Sequence, residues 1–150
     1  MDENDHLIDV LRSYPQIYLA CHVEHRTRNA SASGLTSREA SFLTHIEADG
    51  TSPADLARHL GIAPSTLSAA LARLEGLGLV RLERDAGDAR RKRVQLTQAG
   101  RSAIADNSVL DAGRVAALLA AMPEKERRLG VEGLKLLAAA ARRVSERGPR

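Results

Sequence analysis

The sequence predicts a mainly α-helical chain with one small β-hairpin, and three observations lead there. Aromatic residues are only 2% of the 150 positions (Tyr14, Tyr18 and Phe42), so the core must be built of Leu, Val, Ile and Ala, which favours helices. Between Ser52 and Gly76 the apolar residues fall at three- and four-residue spacing on both sides of a Gly61 to Pro64 break, which reads as helix, tight turn, helix. After Gly76-Leu77-Gly78 the period changes to two, the mark of short strands. With 43% hydrophobic and 27% charged residues the chain is not a disordered one, and its length suits one domain, or one module with helical arms.

From His6 to about Asn29 the residues Leu7, Leu11, Tyr14, Tyr18 and Cys21 make one helical face, and Pro15 within it predicts a kink or two helical pieces. Ala30 to Gly34 reads as a linker. Thr36-Ser-Arg-Glu39 has the spacing of a capping box, opening a helix that turns Phe42, Leu43 and Ile46 inward and stops at Asp49-Gly50. Ser52-Pro-Ala-Asp55 opens a second short helix with Leu56, Ala57 and Leu60 inside. Gly61 closes it and Pro64 opens a third, in which Leu67, Ala70, Leu71 and Leu74 share one side. The other side carries Ser65, Thr66, Ser68, Ala69, Ala72 and Arg73, small groups that would let a helix approach base edges in a groove about 12 Å wide.

Val80 and Leu82 alternate with Arg81 and Glu83, and Val94 and Leu96 with Arg93 and Gln95, so two strands flank a tip at Gly87. Thr97 then caps a helical stretch running to Met122, with Ile104, Leu110, Val115, Leu118 and Leu119 as its apolar members. Pro123 breaks it. Glu124 and Glu126 suit the positive start of a last helix whose end carries Arg142, Arg143 and Arg147. That helix holds more apolar surface than one small domain can cover (Leu129, Val131, Leu134, Leu136, Leu137, Ala138 to Ala141 and Val144), and a second copy of the chain is its expected cover.

Charge placement points to the partner. The six basic residues between Val80 and Leu96 exceed the three acidic ones by the chain's whole formal excess of +3, so a polyanion is the natural ligand of the hairpin. No apolar run reaches the roughly 18 residues of a membrane span, and the acidic start is unlike a signal peptide, so no membrane and a cytoplasmic location are expected. The single Cys21 excludes an intrachain disulfide and a multi-cysteine zinc site. No enzyme is expected and no cofactor: no glycine loop cradles phosphate, Gly76-x-Gly78 leads into a strand, and His22-x-Glu24 lacks the paired cysteines of a zinc deaminase.

The run Asp85-x-x-Asp88-x-Arg90-x-x-x-Val94-x-Leu96-Thr97-x-x-Gly100 closely resembles the wing signature of the MarR family of bacterial transcriptional regulators. Asp55-Leu56-Ala57, Leu60-Gly61-Ile62, Ser65 to Ser68, Leu74-Glu75 and Gly78-Leu79-Val80 agree with it, so that the resemblance covers about a third of the chain. It implies a winged helix-turn-helix over 35–100, with dimerisation helices at 1–34 and 101–150. It also implies a homodimeric repressor on a pseudo-palindromic operator in double-stranded DNA, released by a small phenolic or anionic effector. By the same resemblance Arg90 would enter the minor groove and Asp88 would position it, because narrow grooves concentrate negative potential. Ser65, Thr66, Ser68, Ala69 and Arg73 would face the major groove, and Arg84, Arg91, Lys92 and Arg93 the phosphates. Ala69 stands where members often carry a long basic or polar side chain, which predicts more reliance on shape and backbone contact than on base readout.

Other readings stand beside this one. The hydroxyls of Ser65, Thr66 and Ser68 could simply cap a helix. Tyr14, Tyr18 and His22 could line an effector pocket, although packing is the favoured role of large aromatics in so aromatic-poor a chain. Cys21 could sense oxidants or be a small buried hydrophobe, and with His22, Glu24 and His25 it could sense a metal. A winged-helix module that binds protein without strong DNA binding is the alternative from another class.

Overall fold

The computed structural model describes residues 3–23 and 34–146. Helix α1 (Glu3–Cys21) is followed by α2 (Ser37–Thr44), α3 (Pro53–Leu60) and α4 (Pro64–Gly76), then by an antiparallel hairpin of β1 (Val80–Arg84) and β2 (Lys92–Leu96). Three helices finish the chain: α5 (Gln98–Asn107), α6 (Ala112–Ala120) and α7 (Glu124–Glu146).

Local chemistry places most boundaries. At α2 the Thr36 N–H donates to Glu39 Oε2 at 2.9 Å while the Glu39 N–H donates to Thr36 Oγ1 at 3.2 Å, so each residue satisfies an amide the helix itself leaves open. Ser52 caps α3 through the Asp55 N–H, and Gly61 ends that helix in the left-handed region (φ 63°), where a side chain would be strained. Thr97 caps α5 and its own hydroxyl donates to the Gly78 carbonyl at 2.6 Å, tying the end of the hairpin to its beginning.

One core joins these pieces. Leu43, Leu56, Leu67, Leu74, Val80 and Val94 are fully buried, with Phe42, Ile46, Leu71, Leu79 and Ala103 around them. Leu82 pairs with Val94 and Val80 with Leu96, so the alternation of the strands delivers one face to the helices. The link between α2 and α3 adds a third edge: the Thr51 N–H donates to Val94 O at 3.0 Å, and the Val94 N–H to Thr51 O at 2.8 Å. Buried core positions thus come from Leu35 and from α2 through α5, while among the described residues α1, α6 and α7 contribute none to the cluster.

Several sequence expectations need correction. Helix α1 is one element through Pro15, which excludes two helical pieces, and it ends at Cys21; residues 24–29, where it was expected to continue, lie outside the described residues, as do Arg147 and most of the 30–34 linker. Pro15 is exposed there, and the lost hydrogen bond is tolerated. Helix α2 stops at Thr44 rather than Asp49, since the His45 and Ile46 amides turn back to Phe42 and Leu43 in i to i+3 bonds. Ile46 is buried from that turn, which imitates helical periodicity. The expected helix from Thr97 to Met122 is two helices. Ser108 Oγ accepts the Leu110 N–H at 3.0 Å and Asp111 caps α6 through the Arg114 N–H at 2.8 Å, so local side-chain bonds replace helical ones between them.

That break receives the end of α1. Asp111 N–H donates to Cys21 O at 2.8 Å, Val23 N–H to Val109 O at 3.2 Å, and an Arg114 Nη1 hydrogen to His22 O at 2.9 Å. Cys21 is sealed beneath the junction with 1% of its surface exposed. Helix α7 packs on α3, and its Arg142 donates to Glu47 at 3.0 Å.

Candidate nucleic-acid interface

Leu67, Leu71 and Leu74 anchor α4 in the core, which leaves Ser65, Thr66, Ser68, Ala69, Ala72 and Arg73 exposed along the opposite side. Hydroxyl capping does not explain the first of these: the cap position is Ala63, no side chain caps the helix, and Pro64 fills its first turn. An N-terminus of this kind offers open amide groups and positive dipole to a phosphate.

Arg73 is held apart from the rest. Its Nε is ion-paired with Glu39 Oε1, and an Nη2 hydrogen reaches Gly34 O at 3.4 Å, so its guanidinium fastens α4 to the start of α2. The Arg73 hydrogen bond, joined by that of the Thr36 backbone, holds the Glu39 carboxyl below the usual range. A carboxyl lowered in the folded state stabilises it above the ordinary glutamate value of 4.5, and that contribution disappears as pH falls through the lowered value. Glu39→Gln keeps an acceptor for the box but loses the charge. Urea midpoints for the two proteins should therefore differ at pH 7 and converge as pH falls below 4.5; an equal gap throughout would refute the ion pair.

The wing is shaped by its two aspartates. Asp85 N–H donates to Arg91 O at 2.8 Å and closes the hairpin, while Asp85 Oδ1 accepts the Gly87 N–H at 2.9 Å. Asp88 Oδ1 accepts the Arg90 N–H at 3.0 Å and Asp88 O the Arg91 N–H at 3.0 Å, an arrangement that fixes the backbone from which the Arg90 side chain projects into solvent. Asp88 Oδ2 also lies 3.7 Å from Arg91 Nε.

Strand alternation sorts the remaining basic residues onto two faces. Lys92, opposite Arg84 in the register, borders a cleft between the wing and α4 together with Ser68, Ala72 and Glu75. Arg93 lies on the other face and turns inward: its Nη2 donates to Gly50 O at 2.7 Å and its Nη1 is 3.6 Å from Asp85 Oδ2. The exposed side of α4, Lys92 and the wing tip thus share one surface, from which Arg73 and Arg93 are drawn back. Sequence reasoning missed the Gly50-Thr51 edge to which Arg93 is fastened, and no local signal announces it.

The other candidates lie far along α1. Tyr14 and Tyr18 stack with ring centroids 6.4 Å apart, and Tyr18 and His22 at 4.5 Å. Tyr14, 60% exposed, opens with Val10 and Ile17 onto a groove whose other wall is Leu134, Leu137, Ala138 and Ala141 of α7. Burial gives Cys21 the surroundings of a small hydrophobe and little access for an oxidant. Among the described residues no group of three His, Cys, Asp or Glu side chains could hold a metal; Glu24 and His25 lie outside them. No helix among the described residues is long and apolar enough to cross a membrane.

Comparison with known proteins follows the same lines. The model of the MarR family matches residues 33–91. The transcriptional regulator BldR from Sulfolobus solfataricus is 26% identical, with a TM-score of 0.50 over 93% of this chain and 99% of that one. A MepR variant from a multidrug-resistant S. aureus clinical isolate is 23% identical (TM-score 0.53, 85% and 94% covered). Streptococcus pneumoniae FabT, in a structure in complex with DNA, is 20% identical (TM-score 0.52, 94% and 96% covered), and these two likenesses concern the fold alone. No curated protein matches. Over residues 33–91 this chain is thus similar to the MarR family, and the fold around that segment is similar to that of the transcriptional regulator BldR.

Proposed function

We propose that the chain is a sequence-specific regulator of transcription that binds double-stranded DNA as a homodimer, a repressor released from a pseudo-palindromic operator by a small phenolic or anionic effector. The observation that carries the reading is the shared surface of α4 and the wing. Ser65, Thr66, Ser68 and Ala69 are small exposed side chains on α4, Ser68 borders the same cleft as Lys92, and Arg90, Arg91 and Arg84 extend from the hairpin. In this reading α4 enters the major groove, Arg90 the adjacent minor groove, and Asp88 sets the backbone of Arg90. The complex of FabT with DNA lends the reading a precedent on the same fold.

Homodimer formation is supported by the apolar residues that α1 and α7 leave exposed, among them Leu11, Leu134, Leu136 and Leu137. An effector acts here by population shift: it must bind more tightly to the dimer whose two α4 helices no longer match half-sites one turn, about 34 Å, apart. The stacked rings of Tyr14, Tyr18 and His22 are the candidate place for its aromatic part.

Fluorescence anisotropy against the chain's own upstream intergenic DNA and a scrambled duplex, at two salt concentrations, tests the reading. Binding should favour the native fragment at dimer stoichiometry, and Arg90→Ala should cost about 1–3 kcal/mol of it. Absence of binding even at low salt would refute the reading and favour the protein-interaction module.

A further inference from the structure

We infer that Arg93 is a positioning residue of the wing and not one of its DNA contacts: it is the strut that fixes the hairpin against the link between α2 and α3. The inference rests on the DNA-binding reading for its consequence, but on the geometry for its substance.

Period-two alternation puts Arg93 and Gln95 on the face of the hairpin opposite Lys92 and Val94. From there the guanidinium spans two elements. Its Nη2 donates to the Gly50 carbonyl, 43 residues away in sequence, at 2.7 Å, and Nη1 approaches the carboxylate of Asp85, the residue that closes the hairpin by its own backbone bond to Arg91. Only a planar fork can serve both acceptors at once, and a lysine ammonium on the same strand would have to choose. The receiving end is shaped to fit. Gly50 has φ +92°, and a Cβ there would stand 3.2 Å from Arg93 Nε, 3.1 Å from Gln95 Cγ and 3.2 Å from Val94 O, so the link passes directly under the arginine. Beside it the paired Thr51 and Val94 bonds make the link a third edge of the sheet.

A wing fixed at its base by this strut presents Arg90 and Lys92 at a set distance from α4. Without the strut, DNA must order the hairpin at the moment of binding, and affinity falls although no phosphate contact has been lost. Arg93 and Lys92 are neighbours of equal charge, yet substitutions at the two should differ in their salt dependence.

The experiment compares Arg93→Lys, Arg93→Ala and Lys92→Ala by DNA titration across salt concentrations and by amide hydrogen exchange of the unbound protein. Arg93→Lys keeps the charge but should bind about tenfold more weakly, the scale of a lost charge-assisted hydrogen bond. Its slope of log affinity against log salt should remain that of the parent, as should the slope of Arg93→Ala, whereas Lys92→Ala should lose about one unit of slope. Exchange at Val94, Thr51 and Asp85 should quicken severalfold in Arg93→Lys while the amides of α4 keep their protection. Parent-like affinity in Arg93→Lys, or a slope reduced by about one in Arg93→Ala, would make Arg93 a phosphate contact and overturn the inference. Should the parent protein bind no DNA, the regulator reading fails alone; exchange then decides the strut, and unchanged protection at Val94 and Thr51 overturns it.

Discussion

Gly100→Ala should cost about 3 kcal/mol or more and lower the melting temperature by roughly 10 °C, the upper end for one methyl group added to a packed site. A Cβ built on Gly100 would lie 2.1 Å from the Leu79 carbonyl oxygen, 3.1 Å from its carbon and 3.2 Å from Leu96 Cδ2. No rotamer relieves a clash made by a Cβ, so the backbones themselves must part. Neither is free to do so. The Leu79 carbonyl accepts the Thr97 N–H at 3.1 Å, the Leu79 N–H is held by Leu74 O at 3.0 Å, and the Gly100 N–H is the one that Thr97 caps. Separating α5 from the start of β1 would therefore break the Thr97–Leu79 bond at the base of the hairpin and disturb the contacts of Ala103 in the core together. Gly76→Ala is the control: its Cβ meets nothing within 4 Å, and alanine at a helical position is neutral or stabilising by about 0.4–1 kcal/mol. An unfolding free energy for Gly100→Ala within about 1 kcal/mol of the parent's would mean that the close approach is not maintained in solution.

Gly100 also marks the boundary of what sequence could supply. Its place in the Leu96-Thr97-x-x-Gly100 run was legible, because motif and cap are local, but its neighbour Leu79 is brought there by the hairpin and by nothing in the adjacent sequence. The caps at Thr36, Ser52 and Thr97 and the left-handed stop at Gly61 were readable for the same reason: three or four residues contain the whole interaction. The α5 to α6 break was hidden by helix-favouring composition on both sides, although Asp111 three residues before Arg114 carries the signature of a cap. In the candidate interface the alternation that separates Lys92 from Arg93 was visible. Which of the two shares a face with α4 was not, since that depends on Thr51 pairing with Val94. Arg73 was assigned to the DNA side on helical phase alone, and its partner Glu39 is 34 residues away.

Leu137→Asp should turn the proposed dimer into monomers at micromolar concentration and weaken binding to a two-half-site operator by a hundredfold or more, while leaving the fold of each winged helix intact. Leu137 is 53% exposed in the single chain and forms a wall of the apolar groove between α1 and α7, opposite Tyr14 and Ile17. It belongs to no buried cluster, so a carboxylate there costs the isolated chain little. In a two-fold dimer each substitution is made twice, and an unpaired carboxylate buried in an apolar seam costs several kcal/mol per copy. Operator affinity follows from linkage. Two lobes held together bind the second half-site at millimolar effective concentration, an advantage of about 10²–10⁴ that separate lobes forfeit. Sedimentation velocity, far-ultraviolet dichroism and titration against half-site and full-site duplexes separate these effects. Monomers that keep their helical signal and bind half-site and full-site DNA alike would assign the α1 and α7 faces to the seam, and an unchanged dimer would place the seam elsewhere.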